Sequence, residues 1–379
     1  MERRLATWCA AALVCAGVTA TWAGPLDPPP GPVGDTSVPG AVNPPMKTLG
    51  QIEPRTAVQT LAAGSTAQYV ISTPGSYYLT GNITGTAGKH GISITAEHVT
   101  LDLNGFALVG VSGAGDGITT ATFLKNVAVF NGSVKGWPGS GVNVQTDNGR
   151  LDGLRVSNCT LAGINTGTSL GTLITHCTLQ DNAGGNLFTG AGCTVEACNI
   201  INTSLLGTAI GINTADGTII RDCNLQGLRG VGIQAGGSCT ILNNTIVNGR
   251  ADAVNVGQRS MVKGNNISGH TGSGIVLNGQ ACVVQDNMLV SNAPGSTTAG
   301  GIITSQNNHH ITGNTMMSNG LGLKCTGLGS FIARNTGRAN ATSFTISGSN
   351  SVGPLVNISL QGDIADIPAA NHPWANFTY

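Results

Sequence analysis

From about residue 90 onward, apolar and polar positions alternate in runs of only three to five residues, separated by small or turn-forming residues. Two neighbouring blocks, opening at Gly211-Ile212 and Gly232-Ile233, superimpose with a shift of 21 residues. Other blocks open at Gly91-Ile92, Gly117-Ile118, Gly141-Val142, Gly163-Ile164, Asn186-Leu187, Ala253-Val254, Gly274-Ile275, Gly301-Ile302 and Gly322-Leu323. Period-two alternation is the mark of strand, and no window carries a sustained stripe of period 3.6. Repetition at this spacing is the mark of a solenoid. Each block holds too few aliphatics to bury alone, so stacking must supply both the core and the partners of the backbone N–H groups.

The columns follow from the alignment of the blocks. A second inward aliphatic is expected at Val156, Ile174, Val195, Ile220, Ile241, Val262, Val284, Ile311 and Ile332. Three residues later stands a turn residue: Cys159, Cys177, Cys198 and Cys223, then Asn244, Asn265, Asn287, Asn314 and Asn335. A third aliphatic follows at Leu161, Leu179, Ile200, Leu225, Ile246, Ile267, Leu289 and Met316. Identical residues on successive rungs lie about 4.8 Å apart. Asn in such a column passes amide hydrogen bonds along the stack and tolerates the left-handed bend of a turn.

These coils resemble the right-handed parallel β-helix superfamily, the pectate-lyase-like fold, and the β-helix-repeat proteins of bacterial secretomes. The resemblance spans roughly residues 70–340. It implies an all-β, single-stranded right-handed parallel β-helix of about eleven or more coils, capped at both ends. It does not fix an activity, because one fold hosts many.

The repeat places the β-helix with its N-terminal cap at 61–340 and a C-terminal cap at 341–379, where Trp374 and Phe377 are expected to cover the last rung. Residues 1–23 read as a cleaved secretory signal: Arg3 and Arg4, an apolar run from Leu5 to Val18, and a cleavage site after Ala23 or after Ala20. The apolar run is short for a membrane span. Residues 24–60 carry nine prolines and are expected to form an extended leader. Extra residues at Ser112–Asp116, Thr203–Ala209 and Asn292–Gly300 mark inserted loops.

Composition narrows the partners. Lys plus Arg equals Asp plus Glu at 17 each, which gives no general grip on nucleic acid or anionic membrane. Cys193, Cys239 and Cys282 fall in an inward small-residue column with Thr172, Thr218, Ser260 and His309. Their two-rung spacing is too long for a disulfide. Cys159–Cys177 and Cys198–Cys223 remain open as bridges, and no metal spacing is present.

The candidate chemistry lies on the outward face. Asn143, Asn165, Phe188, Asn213, Gln234 and Asn255 are expected to form a stripe, on the strand face that holds polysaccharide in the enzymes this chain resembles. Such amides are also simply good solvated, stackable residues. Arg229 and Arg250 are expected on adjacent rungs, where either Asp216 and Asp252 or a bound uronate carboxylate neutralises them. Glu196 and Arg221 form an expected structural pair. Polygalacturonase motifs are missing: Asn213-Thr214 is followed by Ala215, and Gly269-His270 by Thr271. Three readings result. The first is a secreted or surface protein binding a polysaccharide or cell-surface glycan. The second is a lyase or hydrolase of acidic polysaccharide using Asp216, Asp252, Arg229 and Arg250, with Ca2+ if a lyase. The third is a spacer or adhesin.

Overall fold

The computed structural model describes residues 54–203, 209–359 and 364–379. The expected signal and most of the expected leader lie outside the described residues, as does the middle of the 203–209 insertion. Residues 55–379 form one compact unit. Among the described residues there is no α-helix, only short strands and two 3-10 turns.

Apart from a separate two-stranded sheet of Leu124–Lys125 and Thr146–Asp147, the described strands form three parallel stacks. One is a 13-stranded sheet running from Ala67–Ile71 to Thr342–Ile346, here called the open-face sheet. The other two stacks merge through two-residue corners into a 26-stranded sheet. One coil shows the plan: Ile212–Thr214 on the open face, then Ile219–Arg221, a corner, and Asn224–Gln226. The next rung pairs Ile212 with Ile233, Ile220 with Ile241 and Leu225 with Ile246. Val254, Val262 and Ile267 continue these rows. All nine side chains are fully buried. Removing each from water contributes about 1.5–3 kcal/mol, which a single coil could not collect.

The corner is built by two successive residues with different tasks. The first is left-handed: Asp222, Asn243, Gly264, Asp286, Gly313 and Arg334 all have φ between 53° and 70°. The second carries the ladder. Asn265 donates its backbone N–H and its Nδ2 to Asn287 Oδ1, both at 2.9 Å, and Asn287 repeats this toward Asn314 at 3.0 and 2.9 Å. The left-handed bend therefore falls on the residue before the ladder, not on the ladder Asn as the sequence suggests. The ladder reaches the cap through Asn335 N–H to Asn376 Oδ1. A second amide row runs through Asn292, Asn319 and Asn340, and the buried His270 donates its N–H into it.

One column differs from its sequence alignment. Val156 pairs with Leu179, and Leu151 with Ile174, within the long strand Arg150–Ser157. Cys159 therefore faces Asn182, whose Oδ1 accepts its N–H at 3.1 Å, and is not above Cys177. Leu161 is exposed. Two short strands merged into one here, so counting three residues from the wrong aliphatic moved the column. All eight described cysteines are free and buried. Burial pushes the Cys159 thiol up to about 11. A side-chain hydrogen bond with Cys198 and burial push the Cys177 thiol up as well. The inward small-residue column is as expected: Cys193, Cys239, Cys282 and His309 are all at most 2% exposed.

The ends are also informative. Thr56–Ala57 pairs with Tyr77–Tyr78, and Val58 is fully buried, so rung structure begins inside the stretch expected as leader. Arg55 lies 4.6 Å over the Tyr78 ring. At the other end the repeat does not stop at 340, because Thr342–Ile346 adds another open-face strand. The cap beyond has its own cluster of Val356, Ala370 and Ala375, against which Phe377 packs. Trp374 packs edge-on against Phe331 and stays 43% exposed.

Candidate functional site

The outward position of the open-face sheet forms one uninterrupted column. Asn143 pairs with Asn165, then Phe188, Asn213, Gln234 and Asn255, rung by rung. All six are half-buried, with inward aliphatics such as Ile212 and Ile233 behind them. Over six rungs the column extends about 24 Å. Neighbouring amides bond along it: Asn165 Nδ2 donates to Asn143 Oδ1 at 3.3 Å, and Asn255 Nδ2 to Gln234 Oε1 at 3.4 Å. Among the described residues the oxygen of Asn255 is buried without a donor. Phe188 lies across Gly185, whose φ is +129°. A Cβ there would meet the ring at 2.6 Å, so glycine is what lets the ring lie down.

Arg229 and Arg250 sit in the turns that feed the strands bearing Gln234 and Asn255, five positions upstream of each. The register of these strands puts them on adjacent rungs. Arg250 is exposed and Arg229 half-buried. Among the described residues neither guanidinium makes an ion pair or a side-chain hydrogen bond, so the expected neutralisation by Asp216 or Asp252 is not formed. Asp252 is two residues past Arg250 in the same turn, and its Oδ1 accepts the Ser273 N–H at 2.7 Å. Asp216 lies at the other end of the open-face strand, where its Oδ1 accepts the Gly237 N–H at 2.7 Å. Asp216 and Asp252 are six positions apart along the coil, about 20 Å at strand rise, and two rungs apart. Three of the four charged candidates thus share one edge of the face, and Asp216 stands on the opposite edge. Glu196 and Arg221 form the expected pair at 2.9 Å, on a different stack.

The sequence reading missed one cluster on the same edge. Asp116 is buried, and its carboxylate accepts the Ser140 N–H at 2.7 Å and Asn143 Nδ2 at 3.1 Å. Its backbone N–H donates to His90 Nδ1 at 2.8 Å. The signal was available: Asp116-Gly117-Ile118 and Asp252-Ala253-Val254 place an acid in the same slot, each capping the N–H of a serine on the following rung.

Among the described residues no three His, Cys, Asp or Glu side chains gather closely enough to hold a metal ion. With Asp216 and Asp252 apart, the Ca2+ that a lyase reading brings has no shared ligand set between them. No described helix is long and apolar enough to cross a membrane.

Comparison with known proteins bears out the architecture. Residues 107–261 and 208–359 match the model of the right handed beta helix region, and the chain belongs to that family. The A-module of Azotobacter vinelandii mannuronan C-5 epimerase AlgE4 superposes with a TM-score of 0.59 at 13% identity, over 78% of this chain and 99% of its own. The AlgE6 A-module of the same organism gives 0.57 at 13%, over 85% and 98%. A tailspike mutant of E. coli bacteriophage HK620, solved in complex with a pentasaccharide, gives 0.49 at 12%, over 80% and 66%. At these identities the likeness is one of fold. No curated protein sequence matches the chain.

Proposed function

We propose that the protein binds an acidic polysaccharide along the open-face sheet. The observation that carries this reading is that Arg229 and Arg250, whose guanidinium groups have no ion pair among the described residues, stand at the edge of a continuous column of amides and one Phe. Two cations on adjacent rungs repel, and an anionic partner removes that penalty. Guanidinium suits a carboxylate because it donates two parallel N–H bonds. The rung spacing of about 4.8 Å is comparable to the length of one pyranose unit, so successive sugars meet successive side chains. Asn and Gln offer both donors and acceptors to hydroxyls, and Phe188 offers a ring face to sugar C–H groups. The neutral overall charge makes this a local attraction, not a global one. The epimerase modules that share the fold act, by their name, on mannuronan.

Binding without turnover is the reading we favour. Hydrolysis needs two carboxyls within about 5–9.5 Å of one another, and Asp216 and Asp252 are not so placed. The signal-like start at Arg3, Arg4 and Leu5–Val18 supports an extracytoplasmic location, where such polymers occur.

Isothermal titration of the full chain with uronate oligosaccharides, and with neutral ones of equal length, tests the proposal. Saturable binding of the uronates that weakens with added salt, and at least tenfold in an Arg229→Ala/Arg250→Ala variant, is expected. Equal binding of neutral and acidic oligosaccharides, or none of either, would overturn it and favour a spacer or adhesin.

A further inference from the structure

A second cleft, of about 560 Å³, lies near the C-terminal end of the helix, on a stack other than the open face. Strands Val283–Gln285, His310–Thr312 and Phe331–Ala333 supply its floor, and the cap supplies Trp374. His310 and Phe331 pair on adjacent rungs with ring centroids 5.0 Å apart. Trp374 meets Phe331 edge-on at 5.7 Å. Arg334 stacks 4.5 Å over the indole and donates Nε to the Pro373 carbonyl at 2.9 Å. The indole is therefore held rigidly while remaining 43% exposed, an arrangement that burial alone would not select.

The polar wall is equally specific. Asp286 lines the cleft, and among the described residues its carboxylate accepts no hydrogen bond, the nearest cation being Lys263 Nζ at 3.8 Å. Gly313 stands over it with φ +70°, and a Cβ there would come within 2.3 Å of Asp286 Oδ1. Glycine thus keeps the carboxylate open to the cleft. The corner explains why these groups meet: Asp286, Gly313 and Arg334 occupy the same left-handed position on three successive rungs.

We propose that this cleft is a second carbohydrate site, taking a single neutral pyranose ring. A pyranose presents an apolar C–H face, which an aromatic wall of Trp374 and Phe331 attracts through its negative ring faces. The same ring carries vicinal hydroxyls, which both donate and accept. They match the Asp286 carboxylate, which accepts no hydrogen bond among the described residues, and the remaining N–H groups of Arg334. A purely apolar partner would desolvate Asp286 and its Lys263 partner with no new hydrogen bond in return, at a cost that opposes docking. A uronate would bring its charge against Asp286. The volume falls in the range of small-ligand clefts. This site is independent of the acidic polymer proposed for the open face, and it would let the protein hold a neutral branch or end while the acidic chain lies elsewhere.

The test is tryptophan fluorescence of the full chain titrated with neutral gluco-, manno- and galacto-oligosaccharides, with uronate oligosaccharides as the second arm. Trp137 is fully buried and serves as an internal reference. A saturable change with at least one neutral series is expected. It should be lost in Trp374→Ala, weakened at least fivefold in Asp286→Ala, and unchanged in Arg229→Ala/Arg250→Ala. Asp286 is half exposed, so its replacement keeps the experiment decisive should loss of Trp374 disturb the cap. No saturable change with any neutral series, a response to uronates alone, or full affinity in Asp286→Ala would overturn the proposal. Loss of uronate binding in the double-arginine variant with the neutral response intact would separate the two sites.

Discussion

Arg229 and Arg250 hold the same turn position on neighbouring rungs, and no carboxylate pairs with either among the described residues. Like charges placed opposite one another destabilise a sheet by roughly 0.2–1 kcal/mol. Arg229→Ala is therefore expected to raise the melting temperature slightly while weakening uronate binding several-fold. Thermal unfolding with and without ligand checks both signs at once. A variant that loses stability and keeps affinity would mark the pair as structural.

Asn287 illustrates what the amide ladder contributes. Its Oδ1 accepts two bonds from Asn265, and its Nδ2 reaches Val262 O at 2.9 Å. Asn287→Ala strands the buried backbone N–H of Asn265, whereas the Asn265 Nδ2 keeps the Ile241 and Lys263 carbonyls. A loss of about 1–3 kcal/mol is expected in denaturant unfolding. Asn266→Ala, one residue from the ladder and exposed, should stay within about 0.5 kcal/mol of the parent.

Two buried histidines set an acid limit. His309 accepts the Cys282 N–H on Nδ1 at 3.2 Å and donates Nε2–H to Thr304 Oγ1 at 2.9 Å, and burial lowers its pKa. Burial lowers that of His270 likewise. Below the ordinary value near 6.5, the unfolded chain takes up protons that the folded chain refuses. Stability is therefore full above about pH 6.5 and falls as pH drops through that value. His270→Asn, which supplies the amide used at Asn292, Asn319 and Asn340 in the same row, should flatten this slope in melting curves taken between pH 7 and pH 5. An unchanged slope in a His270→Asn/His309→Asn variant would assign the acid sensitivity to other groups.

The cysteines make a chemical prediction. Cys159, Cys177, Cys193, Cys198, Cys223, Cys239, Cys282 and Cys325 are all free and buried. A thiol reagent should leave these eight unmodified in the folded protein and modify them on unfolding, and reductant should not shift the melting temperature. A reductant-dependent shift would mean that a bridge forms among them.

Much of this was legible in the sequence because the stack repeats its chemistry. Ile220, Ile241 and Val262 share a row, and so do the amides from Asn143 to Asn255, as spacing alone suggests. Spacing failed where the coil changed shape. Near Val156 two strands fuse into one, and Cys159 moved to another column. It also could not assign sides: Asp216 and Asp252 look alike in sequence but flank opposite ends of the strand. The cleft around Phe331 was invisible because Trp374 reaches it from the cap, outside any repeat.

The most direct measurement is a crystal structure of the full chain soaked with a uronate oligosaccharide. Sugar density is expected along Asn143, Asn165, Phe188, Asn213, Gln234 and Asn255, with a carboxylate within about 3 Å of Arg229 or Arg250. Density confined to another face, or a bare open face in crystals grown at saturating oligosaccharide, would be incompatible with acidic-glycan binding at this surface.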